Sequence, residues 1–165
     1  MTTLSAPAAA NTTINPLRRA LGHMATSVAL ITTRVDGVDY GFTANSFTSV
    51  SVEPPLVTVF IAETAACYQA FAAADHVAVN VLADGQGDLA LLFATKGADK
   101  FADVAVDDSY SHVPVVKGAM ASIIGHVELT QSAGDHLMLP IAVDQVEYSG
   151  QEPLVYHNRA FRKLV

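Results

Sequence analysis

The sequence predicts a mainly β fold, a split antiparallel β-barrel with a few short helices. Roughly six apolar segments of strand-like composition follow one another along the chain, and most of them are joined by short turns. Helix-like segments fill only two of the connections, whereas a parallel sheet requires a long crossover between successive strands. These observations favour a closed or split antiparallel barrel, and periodicity alone leaves the strand order open.

Local patterns predict the individual elements. Asn15 and Pro16 begin a short helix, because asparagine caps helix starts and proline suits the first helical position. Alternating β-branched residues predict strands, and alanine-rich segments with apolar residues on one side predict helices. The predicted helices are residues 15–24, 65–74 and 88–94, and the predicted strands are residues 28–35, 40–50, 56–61, 76–82, 120–130 and 137–148, with a short final segment at 154–156.

Glycine and proline mark the breaks between these strands. Asp36-Gly37 predicts a hairpin, and Gly134-Asp135 predicts a turn before the last long strand. Pro54-Pro55 interrupts the ladder of the sheet, because proline has no N–H to donate. For the same reason Pro140, inside a predicted strand, is expected at a sheet edge or at a β-bulge.

A chain of 165 residues fits one compact domain. Residues 1–14, rich in alanine, threonine and serine, are predicted to form a disordered tail, and residues 15–165 to form the barrel domain. The composition is 51% hydrophobic, yet the sequence contains no run of ~18 consecutive apolar residues, as a membrane span requires. We therefore expect no membrane association, and we expect a homodimer in which a second copy covers part of the apolar surface.

Charge and cysteine content exclude several functions. Nine basic and sixteen acidic residues give a net charge of −7, so no basic surface for nucleic acid is expected. The single cysteine, Cys67, excludes an internal disulfide and fits a reducing compartment, which predicts a cytoplasmic location. The six histidines lack His-x-His and Glu-x-x-His spacing, so no metal site is expected.

The polar segment 41–51 (Gly-Phe-Thr-Ala-Asn-Ser-Phe-Thr-Ser-Val-Ser) places hydroxyl groups and one amide in a strand-like region with few charges. Such groups hydrogen-bond the polar edge of a neutral planar ligand, and Gly41 and Ala44 allow the backbone to approach it closely. The alternative interpretation is an edge strand with an outward ladder of serine and threonine. The residues leave both interpretations open.

Two further positions carry candidate chemistry, each with a simpler alternative. Lys96, after an apolar helix, is placed to hold a phosphate or else is a solvated lysine at a helix end. His136, which follows Asp135 in a turn, is placed to contact a ligand at the barrel rim with Asp135 orienting its imidazole, or else is an exposed turn residue. Phe93 and Phe101 are interpreted first as core residues.

Several motifs occur in a fixed order along the chain. They are Leu21-Gly-His-Met-Ala-Thr26, the polar segment 41–51, Pro54-Pro55-Leu56, Phe93-Ala-Thr-Lys96 with Asp99-Lys100-Phe101, Gly134-Asp-His136 and Pro153-Leu-Val-Tyr-His157. Together they resemble the flavin reductase family with the FMN-binding split-barrel fold, the small reductase components of two-component flavin monooxygenases. The resemblance covers nearly the whole chain, residues 15–164.

The resemblance implies an NAD(P)H-dependent flavin reductase, an oxidoreductase that binds FMN or FAD and takes a hydride from NADH or NADPH. It also implies a separate monooxygenase that receives the reduced flavin. His136 is implied as the catalytic residue, near the nicotinamide and the flavin rim. The implied cofactor-binding residues are Thr43, Ala44, Asn45 and Ser46 for the ring, Ser49, Val50 and Ser51 for the ribityl-phosphate side, Thr64 and Lys96 for the phosphate, and Phe93 in the same motif as Lys96.

The chain departs from the family pattern near the expected nicotinamide side. Ala65-Ala66-Cys67 replaces residues that are usually hydroxylic, residues 120–126 lack the usual tryptophan and acidic residue, and Pro140 lies near the place of a usual glycine. Two other hypotheses therefore stay open beside the reductase. They are a split-barrel protein that uses bound flavin for another reaction, and a non-enzymatic flavin carrier.

Overall fold

The computed structural model describes residues 14–107 and 109–164. The described helices are α1 (Ile14–Gly22), α2 (Tyr68–Ala72) and α3 (Gly87–Ala94). The described strands are β1 (Thr26–Ser27), β2 (Ala29–Val35), β3 (Val38–Ala44), β4 (Phe47–Val52), β5 (Pro55–Ala62), β6 (His76–Val81), β7 (Val106–Asp107), β8 (Val115–Val116), β9 (Ala121–Val127), β10 (Gln131–Ala133), β11 (His136–Tyr148), β12 (Val155–His157) and β13 (Ala160–Arg162).

One antiparallel sheet forms the body of the fold. Its strands lie in the order β3-β2-β6-β9-β11-β5-β4, and β10 adds to β11 beyond the end of β9. The two edge strands, β3 and β4, are consecutive in the chain and are joined at Asn45 and Ser46. This arrangement is the predicted split barrel, and the short strands β1, β12 and β13 form a separate sheet beside it.

The barrel is filled by the inward side chains of strands that alternate between two faces. Ile31, Val59 and Leu139 come from three different strands and are fully buried in one cluster. A second buried cluster joins the outside of the barrel to α3, where Leu30 and Phe93 take part. This cluster packs α3 against β2, and α3 also contacts β3, where the contact forms part of the site described below.

The predicted strand 40–50 is wrong as a single element. The chain leaves one edge of the split barrel at Ala44 and enters the opposite edge at Phe47, so Asn45 and Ser46 lie between β3 and β4. Composition did not show this break because both sides of it have the same strand-like, hydroxyl-rich character. The other predicted long strands and all three predicted helices are present, although α2 is shorter than predicted.

Pro140 lies in β11, between β9 and β5 in the sheet, and its surroundings explain how a central strand accepts it. Its carbonyl accepts a hydrogen bond from the Glu128 N–H at 3.0 Å, on the side where β9 has ended. Between Val127 and Gln131 the pairing with β11 shifts by one residue. Pro140 therefore lies at a β-bulge, as predicted.

Two predictions concern the ends of the chain and the membrane. The predicted tail lies outside the described residues except for Ile14, with which α1 begins. Within the described ranges, no helix has the length and apolar character to cross a membrane.

Candidate functional site

A cavity of about 610 Å³ opens between β3, the end of β5 and the carboxyl end of α3. It is large enough for a cofactor-sized ligand. Seven of the eleven predicted site residues line it, although they come from distant parts of the sequence. The lining consists of residues 39–46, 60–62, 65–67 and 93–101, together with His136.

The end of β3 and the two residues that follow it form one wall of the cavity and carry the predicted ring-binding residues. The Thr43 hydroxyl donates a hydrogen bond to the Ala90 carbonyl of α3 at 2.5 Å, which ties the wall to the helix. The Asn45 amide donates to the Thr26 hydroxyl at 3.2 Å. Asn45 and Ser46 are exposed, and an asparagine side chain has further donor and acceptor capacity beyond one bond. The wall therefore offers free polar groups to a ligand edge.

The floor depends on close packing between Gly41 and Phe93. A Cβ atom on Gly41 would lie 2.7 Å from Cε1 of Phe93 and 3.2 Å from the Ile31 carbonyl oxygen, so only glycine leaves space for the ring. Phe93 is 1% exposed and meets Phe101 edge to face, with the ring centroids 5.1 Å apart. Phe93 is therefore both a core residue and the base of the cavity.

Two lysines follow α3, and the structure gives them different surroundings. Lys96 is exposed in the turn after the helix, at the cavity margin. Lys100 is half-buried, and its Nζ donates to the Phe93 carbonyl at 2.7 Å and to the Gly41 carbonyl at 3.0 Å. Sequence reasoning assigned a role to Lys96 alone. Lys96 and Lys100 are the only lysine or arginine residues between Arg34 and Lys117, and this scarcity was a signal that applied equally to both.

His136 stands at the opposite margin, as the first residue of β11, and pairs with Ala62 of β5. Its Nδ1 lies 2.7 Å from Oδ1 of Asp135, so the carboxylate orients the imidazole in the way the sequence suggested. The hydrogen bond with His136, together with the charge of that ring, lowers the pKa of Asp135. The imidazole thus faces the cavity in a fixed orientation while remaining partly open to solvent.

Cys67 also lines the cavity and was not predicted to do so. Burial raises the pKa of its thiol, and the positive charge of Lys100 offsets part of this effect. The cysteine is therefore a poor nucleophile at neutral pH, in agreement with the sequence interpretation. Cys67 follows Ala65 and Ala66 in the lining, so this wall consists of small, weakly polar side chains.

The remaining predicted residues lie elsewhere. Ser49, Val50 and Ser51 are on β4, the other edge of the sheet, where the pairing with β5 shifts at Val50. Thr64 is exposed in the turn after β5. These four residues are outside the cavity lining of a single chain.

The lining suits a flavin. Small and aromatic residues provide apolar surface for a planar ring, polar groups at Asn45 and Ser46 lie to one side, and lysines are available for a phosphate. The described residues contain no cluster of three or more histidine, cysteine or acidic side chains that would hold a metal ion.

Comparison with known proteins gives the family. Residues 21–165 match the model of the flavin reductase like domain. The chain belongs to this family. It is an oxidoreductase of the flavin reductase type, and the predicted family and fold are confirmed.

Three similar proteins illustrate the relationship. The reductase component of the flavin-dependent trigonelline monooxygenase of Acinetobacter baylyi is 38% identical over 90% of this chain, which spans 48% of that relative. The actinorhodin polyketide dimerase of Streptomyces coelicolor is 40% identical, with 90% of this chain and 85% of the relative covered. The NADH:FAD oxidoreductase SgcE6 of Streptomyces globisporus, solved with NAD and FAD fragments, gives a TM-score of 0.86 at 30% identity, covering 97% of this chain and 98% of that chain.

Proposed function

We propose that this flavin reductase reduces FMN or FAD with NADH or NADPH and holds the flavin ring in the cavity between β3, α3 and His136. One observation carries this proposal. The cavity unites residues from β3, α3 and β11 that the flavin reductase motifs had singled out separately along the sequence. A relative solved with NAD and FAD fragments supports the same pair of nucleotides.

When bound, the flavin supplies the ring that accepts a hydride from the nicotinamide. The residues of the chain bind and orient the two nucleotides. Asn45 and Ser46 hydrogen-bond the polar edge of the ring, and the small side chain of Ala44 lets the ring approach β3. Lys96 pairs with the phosphate, and its exposed position leaves room for the longer tail of FAD. His136, held by Asp135, positions the nicotinamide at the cavity margin.

We further propose a homodimer, in which the second copy covers the β4 edge and brings Ser49, Val50, Ser51 and Thr64 into use. Exposed apolar side chains near this edge support it. Val52 is 86% exposed and Val50 is 57% exposed, and both lie on β4. Light scattering across a dilution series tests this directly. A monomer that binds flavin at full strength, or a Val52→Asp variant with an unchanged molar mass, would refute the dimer on this edge.

Reduced flavin then passes to a separate flavin-dependent monooxygenase, as the name of the trigonelline relative suggests. A cytoplasmic location fits this role, because NADH and NADPH are available there and the single cysteine needs no oxidising compartment.

The test is to mix the purified protein with each combination of NADH or NADPH and FMN or FAD, and to follow the loss of pyridine-nucleotide absorbance. Catalytic consumption with at least one combination is the expected result. Tight flavin binding without consumption in any combination would contradict the reductase function.

One observation favours a second candidate. The actinorhodin polyketide dimerase is 40% identical to this chain, and its name does not describe a flavin reductase. The split barrel with bound flavin would then serve a different reaction. The absorbance test separates the two candidates, because only the reductase consumes the pyridine nucleotide in the absence of any other substrate.

A further inference from the structure

We propose that Thr26 is a positioning residue that orients the Asn45 amide for the flavin ring. Thr26 lies on β1 and outside the cavity lining, so it acts on a ligand only through Asn45. The inference rests on the proposed function, since it requires the flavin ring to occupy the cavity. It deepens that function by naming the group that holds an exposed ring-binding side chain in one orientation.

The Asn45 side chain is held by one hydrogen bond among the described residues. Its Nδ2 donates to the Thr26 hydroxyl oxygen at 3.2 Å. Asn45 lies between the end of β3 and the start of β4, so no pairing between strands holds it. The terminal torsion of asparagine is broad and close to two-fold, so without this bond the nitrogen and the oxygen of the amide exchange places easily. The bond to Thr26 therefore selects one orientation of the amide.

The backbone around Thr26 is fixed by the carboxyl-terminal part of the chain. Thr26 lies in β1, which pairs with β12 in the three-stranded sheet. Before it, the Gly22 carbonyl accepts a hydrogen bond from the Asn158 N–H at 2.9 Å, and after it, the Val28 N–H donates to the Leu154 carbonyl at 3.2 Å. Two of the sequence motifs, the one that ends at Thr26 and the one that contains Leu154, lie outside the cavity lining and meet here. Both motifs thus serve the site indirectly, by fixing the position of the Thr26 hydroxyl.

The bond to Thr26 also decides which groups Asn45 offers to a ligand. An amide has two N–H donors and one acceptor oxygen, and Thr26 takes one of the two N–H groups. One N–H and the oxygen remain, and together they match a ligand that presents an acceptor beside a donor. The polar edge of the flavin ring has this pattern, because its ring N–H lies between two carbonyl groups. A fixed amide meets this edge already ordered, whereas a rotating amide loses that freedom on binding and weakens it.

The experiment measures the dissociation constant of riboflavin for the wild type, Thr26→Val, Asn45→Ala and the double variant. Valine keeps the branched shape of threonine and removes the hydroxyl. Thr26→Val should weaken riboflavin binding about fivefold when Asn45 is present and have no effect when Asn45 is already alanine. Thr26→Ser, which retains the hydroxyl, should bind riboflavin as the wild type does. Ser27→Ala, at the next residue of β1 and also outside the lining, is the matched control and should leave binding unchanged.

Three results would overturn the inference. Unchanged riboflavin binding in Thr26→Val would show that Asn45 does not depend on the hydroxyl. Equal weakening by Thr26→Val with and without the Asn45 side chain would make Thr26 a purely structural residue of β1. Weakening by Thr26→Ser as large as that by Thr26→Val would show that the hydroxyl is not the responsible group. Thr26→Ala replaces Thr26→Val, with the same criteria, if the latter unfolds. Absence of riboflavin binding by the wild type would instead refute the proposed function.

Discussion

Two asparagines, one inside a strand and one just after a strand, use their hydrogen bonds differently. Asn80 on β6 is fully buried, and its amide donates to the Leu30 carbonyl and to the Thr32 hydroxyl, each at 3.0 Å. Its oxygen accepts from the Val116 N–H at 2.9 Å and from the Ser122 hydroxyl at 3.1 Å. All the bonding capacity of Asn80 is used within the protein.

Asn45, in the cavity wall, is the opposite case. It is exposed and makes one side-chain hydrogen bond, to Thr26, among the described residues. The same residue type therefore serves the fold on β6 and is free for a ligand after β3. Completeness of hydrogen bonding, together with exposure, separates a structural polar residue from a binding one.

The sharpest test of this difference replaces each asparagine by alanine. Asn80→Ala removes four buried hydrogen bonds, although the Thr32 hydroxyl keeps its bond to the Pro114 carbonyl, and it should lower the free energy of unfolding by about 2–4 kcal/mol. Asn45→Ala should change it by less than about 0.5 kcal/mol, yet weaken flavin binding. Denaturant unfolding and fluorescence titration with FMN measure the two effects. Equal destabilisation by both substitutions would remove the distinction.

His136 sharpens the comparison within the cavity, because we assign it to the nicotinamide rather than to the flavin. His136→Ala should leave flavin affinity nearly intact and slow flavin reduction by about a hundredfold, since the reacting atoms are aligned less often. His126, whose Nδ1 lies 3.0 Å from Asp144 on a different part of the barrel, offers a matched control. Stopped-flow reduction gives the rate. An unchanged rate in His136→Ala would make it a turn residue, and a collapse of flavin binding would place it in the flavin pocket.

Lys96 carries the smallest expected effect. Lys96→Ala should weaken FMN binding by about tenfold and leave riboflavin binding nearly unchanged, because only FMN presents a phosphate. The exposed Lys117, outside this cavity, serves as the control for removing one positive charge. Titration of both ligands checks the assignment. Equal losses for FMN and riboflavin would place Lys96 against the ring.

Much of this architecture was predictable from local signals. Asp36-Gly37 gives the hairpin between β2 and β3 because the turn needs the positive φ angles observed there. The order of the family motifs also predicted that Thr43, Lys96 and His136 would line one site, and all three line the same cavity. This prediction depends on the family resemblance. Hydrophobic periodicity gives no strand order, and therefore it gives no distances between residues on different strands.

Other features depend on tertiary geometry and were not predictable. Lys96 and Lys100 are four residues apart in one loop, and only the path of that loop beneath β3 decides which of them is buried. Ser49 and Ser51 follow Asn45 closely in sequence, but the split of the barrel moves them to the opposite edge of the sheet. Because Ser49 and Ser51 are close to Asn45 in sequence, we expected all three in one pocket. Within a single chain, only Asn45 lines the cavity.

The claim that the flavin occupies this cavity is tested most directly through Cys67, the only cysteine of the chain and part of the cavity lining. Alkylation by iodoacetamide at about pH 8.5, followed by mass spectrometry, measures its accessibility with and without saturating FMN. We expect FMN to slow alkylation strongly, while a cysteine introduced by Ser109→Cys in a Cys67→Ala background reacts at the same rate in both conditions. Unchanged alkylation of Cys67 while FMN is bound at saturation would show that the ring lies elsewhere.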